Sequence, residues 1–174
     1  MAGAILRKPP RARRSVSASA WRRPRPGQRI VSPLERDRPR PAGTLGGVKE
    51  VIARSDVPAP SLPFSAGIRA NGFIFTAGQV GTDPRTGQVV GHDVASQTRQ
   101  TIANLRAILE AGGSSLDRMV KTTVFLADMR TFDAMNEVYK ELIPEPRPGR
   151  STVEARLARP DLLVEIEGIA LAGS

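Results

Sequence analysis

One arginine and two glutamates near the C-terminal end are the residues whose types and spacing could do chemistry. Arg150 opens the run Arg150-Ser-Thr-Val-Glu-Ala155, and Glu165 and Glu167 sit inside Leu162-Leu-Val-Glu-Ile-Glu-Gly-Ile-Ala170. Both runs read as strands flanking a turn, the second rich in apolar and β-branched residues. Strand side chains alternate between faces, so Leu162, Val164, Ile166, Gly168 and Ala170 share one side. Leu163, Glu165, Glu167, Ile169 and Leu171 share the other. Two carboxylates on an otherwise apolar face need a partner or a task. An ion pair with Arg150, a solvated edge and a working site all fit the residues taken alone.

The rest of the composition narrows the chemistry. The 174 residues contain no cysteine, which excludes thiolate catalysis, disulfides and zinc–sulfur sites. His92 is the only histidine, so a serine triad or a His-rich metal site would have to use it, and it falls in a turn before a helix. No phosphate-binding loop, no dinucleotide fingerprint and no metal-ligand loop is present. No run approaches the ~18 apolar residues of a membrane span.

The formal charge of +9 suggests nucleic acid until the charge is located. Residues 1–48 hold 12 of the 26 Lys/Arg and 2 of the 17 Asp/Glu, which leaves 14 and 15 for residues 49–174. The basicity belongs to an Arg/Pro/Ser/Ala-rich tail that also contains Trp21, and the remainder is near neutral. Such a tail cannot bury enough surface to offset its ordering entropy and is expected to be disordered. An organelle transit segment, a basic arm and a non-native extension from an upstream start are all compatible with it. The expected compartment is the cytoplasm, or a mitochondrion or plastid if the tail is a transit peptide.

The elements that must position Arg150 and the glutamates follow in order. Val48–Arg54 reads as an edge strand, and the prolines between Asp56 and Phe64 mark a loop. Ser65–Arg69 and Phe73–Ala77 read as a hairpin closed by Asn71-Gly72. Gly78-Gln79 marks a close backbone approach. A turn at Asp83–Gly87 leads to a short strand at Gln88–Val90. Asp93 caps a helix reaching Ala111, with Val94, Ile102, Leu105, Ile108 and Leu109 as its inner stripe. Arg118–Asp128 is a strand with Val120, Thr122, Val124 and Leu126 on one face and Met119, Lys121, Thr123 and Phe125 on the other. A second helix from near Met129 carries Phe132, Met135, Tyr139 and Leu142 inward and stops before Pro144. Lys121 reads as a solvated or interface charge and Tyr139 as core. The pattern predicts an α+β domain over 49–174 with about six strands and two helices on one sheet face. The uncovered apolar face predicts subunit association.

Five phrases in this order resemble the RidA/YjgF family, also labelled L-PSP endoribonuclease-like. They are Asn71–Gln79, Gln97–Leu105, Val120–Leu126, Met135–Tyr139, and Gly149–Val153 with Val164–Glu167. The resemblance spans about residues 49–172. It implies a chorismate-mutase-like fold assembled as a homotrimer with clefts between subunits. It also implies cofactor-free hydrolysis of 2-enamine and 2-imino acids to 2-oxo acids and ammonia. Arg150 falls on the position that binds the substrate carboxylate, Glu165 on the one that positions water, and Gly78 and Asn136 on cleft positions. Glu167 keeps a structural or interface role.

Phe64 stands where active deaminases of that family carry tyrosine, and Thr152 stands where cysteine is common. Ala77 replaces a serine, and the loop before Arg150 is short. A carboxylate-binding sensor is therefore an alternative. A ribonuclease is another, against which the near-neutral core speaks.

Overall fold

Six strands in the order β1-β2-β3-β7-β5-β6 form the frame of the domain in a computed structural model that describes residues 48–56 and 63–173. The expectations for residues 1–47, and for most of the proline loop, lie outside the described residues. The strands are β1 (Glu50–Ile52), β2 (Gly67–Ala70), β3 (Phe73–Thr76), β4 (Gln79–Val80), β5 (Met119–Leu126), β6 (Gly149–Glu154) and β7 (Val164–Leu171). Short β4 pairs with β7 off the main path, making seven strands where about six were expected. All neighbours are antiparallel except β5 and β6, which run parallel. The helices are α1 (Val94–Ala111) and α2 (Phe132–Leu142).

Local chemistry accounts for the boundaries. Asn71 and Gly72 both take positive φ, at 49° and 79°, the pair a two-residue turn between right-twisted strands requires. Asp93 caps α1 by accepting from Ser96 N at 2.8 Å. A parallel β5–β6 pair needs a crossover, and α2 with its flanking turns supplies it.

Both helices pack on the same sheet face. Ile102, Leu105, Ile108 and Leu109 from α1 and Met135 and Tyr139 from α2 meet Ile74, Val124, Leu126, Val164, Ile166 and Ala170 from the sheet, all of them buried. The other face is open. Val51, Phe73, Phe75, Val120, Val153 and Leu171 remain exposed there.

Two expectations are corrected. Gln88–Val90 is not a strand; Val89 makes only an isolated bridge to Thr82. Val120 does not join Thr122 in the core. A bulge between Met119 and Lys121 sets two residues of β5 against one of β7. The extra residue switches the alternation, so Met119 is buried and Val120 exposed. Among the described residues no helix is long and apolar enough to cross a membrane.

Candidate functional site

The parity of β7 matches expectation: Val164, Ile166, Gly168 and Ala170 are buried, while Glu165 is half-buried and Glu167 exposed. Register then separates the two residues of interest. Arg150 pairs with Thr122, and Glu165 pairs with Phe125. Directly paired residues point to the same face, and residues three apart on a regular strand point to opposite ones. Arg150 therefore lies on the helix side of the sheet and Glu165 on the open side. One chain does not bring them together, so an ion pair within the subunit is excluded.

The arginine half is built by β6 and α2. Arg150 Nη2 donates to Asn136 Oδ1 at 2.9 Å. The guanidinium carbon lies 4.6 Å from the Tyr139 ring centroid and 5.5 Å from that of Phe132. Phe132, Asn136 and Tyr139 are spaced four and three apart, which puts them on one face of α2. The Tyr139 hydroxyl shares a 2.7 Å hydrogen bond with Thr122 Oγ1 on β5. Burial pushes this phenol's pKa up, so it stays a neutral hydroxyl. Two residues along β6, Thr152 lies on the Arg150 side, and its Oγ1 is buried without a hydrogen-bond partner. Among the described residues Arg150 makes no salt bridge, unlike Arg54, Arg99 or Arg159. A half-buried cation with only neutral neighbours is left without a counter-charge, which suits the site to an anion.

The glutamate half is built by the β3–β4 connection and β7. Gly78 lies directly against Glu165: a Cβ at position 78 would overlap the carboxylate oxygen and stand 2.7 Å from its Cδ. Only glycine permits this approach. Gly78 and Phe64 both line a cavity of about 400 Å³ whose walls include Val51, Ile52, Val80 and Ile108. Phe64 is about half exposed and offers no hydroxyl. Burial first, and the neighbouring Glu167 second, raise the pKa of Glu165 above the usual glutamate value.

Buried polar side chains of α1, outside its apolar stripe, fix this half. Asn104 Nδ2 donates to Val80 O at 3.0 Å and Thr82 O at 2.8 Å, which anchors β4. Gln97 donates to Asp161 O at 2.9 Å and accepts from Leu163 N at 2.8 Å, which fixes the entry to β7. Both lie inside the Gln97–Leu105 phrase, so the signal was present without its geometry. Lys121 Nζ donates to Ser151 Oγ on the open face, and His92 is exposed.

The site stands among known proteins as follows. Residues 54–172 match the family model described as Endoribonuclease L-PSP. A RutC family protein of Pyrococcus horikoshii is 48% identical over 71% of this chain and 98% of its own length. The mouse protein called 2-iminobutanoate/2-iminopropanoate deaminase is 37% identical over 72% of this chain and 93% of its own. The crystal structure of the E. coli YjgF gene product superposes with a TM-score of 0.65 at 38% identity, covering 70% of this chain and 98% of that one.

Proposed function

The chain belongs to the endoribonuclease L-PSP family, that of the RidA/YjgF proteins, and from that premise we propose that it hydrolyses 2-imino and 2-enamino acids to 2-oxo acids and ammonia. The observation that carries this is Arg150. Its guanidinium is held by Asn136 and two aromatic rings, with no acidic partner among the described residues. A 2-imino acid offers a planar carboxylate, which a guanidinium grips through two parallel hydrogen bonds. That grip orients the adjacent C=N carbon. Thr152 Oγ1, buried beside Arg150, is a further donor for the same carboxylate.

In this proposal Glu165 holds the water and accepts its proton as the oxygen bonds to C2. An enamine first tautomerises to the imine, an N–H proton moving to C3; the imine nitrogen then leaves as ammonia when the C–N bond breaks, carrying its own proton and the two of the consumed water. A carboxylate whose pKa is raised is the better proton acceptor. General-base positioning of this kind contributes ~10²–10⁴-fold, and the residues named are sufficient for the step without a cofactor.

Opposite faces cannot serve one substrate from one subunit. We propose that a homotrimer of chorismate-mutase-like arrangement joins the Arg150 half of one copy to the Gly78–Glu165 half of the next. The exposed Phe73, Phe75, Val153 and Leu171 support association through the open face. Residues 49–174 form the functional unit in this proposal.

A non-catalytic carboxylate-binding module is the second reading, favoured by Phe64, which lacks the hydroxyl of a tyrosine. Ribonuclease activity, carried by the family's name, finds no support in a domain with 14 basic and 15 acidic residues. The test is release of 2-oxo acid from imines generated by an amino-acid oxidase. Acceleration by the wild type that is lost in Arg150→Ala is expected. Binding of a 2-oxo acid without acceleration would select the binding module.

A further inference from the structure

Tyr139 has a place in the site that its burial alone does not explain. It is 2% exposed, and its stripe position on α2 accounts for it as core. Its ring, however, is not spent wholly on core packing: one face lies under the Arg150 guanidinium at 4.6 Å. Phe132, about two turns earlier on the same helix face, flanks the guanidinium at 5.5 Å. Both distances fall within the ~6 Å over which a ring's negative face attracts a cation.

The geometry matters for how Arg150 can be used. A guanidinium donates only in its own plane, so a ring that supports its face would leave the in-plane N–H groups available for a carboxylate. Asn136 Oδ1 takes one of them and sets the rotation of the plane. The tyrosine hydroxyl points elsewhere, to Thr122 Oγ1 on β5, which locks the ring against the sheet. Ring and hydroxyl thus have separable tasks. A long arginine side chain otherwise samples many rotamers, and ordering it costs free energy at the moment of binding.

We propose that Tyr139 is a positioning residue whose ring, with that of Phe132, presents the Arg150 guanidinium edge-on to the substrate carboxylate. This rests on the reading of Arg150 as the carboxylate clamp. The ring acts through Arg150 and touches no reacting atom.

The experiment measures binding of 2-oxobutanoate, the hydrolysis product of 2-iminobutanoate, to the full chain by calorimetry, with KM and kcat from the oxidase-coupled assay. Tyr139→Leu removes the shelf and is expected to weaken binding about 3- to 30-fold, appearing in KM with little change in kcat. Tyr139→Phe keeps the ring and loses the Thr122 bond, so melting temperature falls while affinity stays within about 2-fold. Phe132→Leu weakens binding less than Tyr139→Leu, and carries the test by itself if Tyr139→Leu does not fold. Wild-type affinity in Tyr139→Leu, or in Phe132→Leu where that variant stands alone, overturns the proposal. So does a loss in Tyr139→Phe as large as in Tyr139→Leu, which would mark a merely structural role. If Arg150→Ala binds 2-oxobutanoate as the wild type does, the clamp itself is refuted and this proposal with it.

Discussion

The two halves of the site are positioned by different means. The arginine half is finished within one chain: a helix lays Phe132, Asn136 and Tyr139 against a β6 side chain, and the cation is held before any ligand arrives. The glutamate half depends on backbone proximity. Gly78 is pressed onto Glu165 because Asn104 pins β4 to α1 and because β4 pairs with β7. It also lies on the sheet face that no helix covers. Arg150, the proposed clamp, is thus preset by packing, whereas Glu165, the proposed water holder, takes its environment from a close main chain and from whatever covers the open face.

The largest effects should separate the two halves by kinetic signature. Glu165→Gln is expected to lower kcat ~10²–10⁴-fold while leaving 2-oxo acid affinity nearly unchanged, since in the proposal Glu165 holds the water and Arg150 holds the carboxylate. Loss of affinity in calorimetry would break the division of labour. Gly78→Ala comes next. Its methyl must push the Glu165 carboxylate aside, and displacement by about 1 Å costs on the order of 10²-fold in kcat, with melting temperature checking that the fold survives. Asn136→Ala removes one hydrogen bond from a charged donor and is expected to raise KM about 10-fold.

The smallest effect concerns pH. A general-base carboxylate works above its pKa and loses activity as pH falls through it. The pKa of Glu165 is raised, so the acid limb of kcat/KM should lie above the ordinary glutamate range. Burial is the larger cause and Glu167 the smaller, so Glu167→Gln should move that limb to lower pH without abolishing activity. An unmoved limb would mean that Glu167 does not act on Glu165.

Most of the frame was legible because its signals are local. Asn71-Gly72 defines a turn, Asp93 a cap, and the alternation along β7 its two faces. The bulge at Met119/Lys121 was not legible, since nothing in Arg118–Asp128 says that an extra residue interrupts the pairing. The separation of Arg150 from Glu165 was not legible either. Strand parity is readable along one strand, but their relative faces depend on β5 lying between β6 and β7, which is a long-range fact of sheet order. Asn104 and Gln97 look like ordinary polar helix residues until their partners, the main chain around β4 and the start of β7, are brought near. Tyr139 likewise reads as core from its spacing and gains a second role only from what lies above its ring.

In the proposed assembly each site draws on opposite sheet faces of two copies, and mixing inactive variants probes that arrangement. Arg150→Ala and Glu165→Gln chains are each purified, shown to be inactive, then unfolded, combined in equal amounts and refolded together. Clefts that draw Arg150 from one variant and Glu165 from the other regain both groups, and random assembly of a closed ring makes about one quarter of clefts complete. Recovery of roughly a quarter of wild-type kcat is the expected result. A mixture as inactive as its components would contradict the account and require both residues to act within a single subunit.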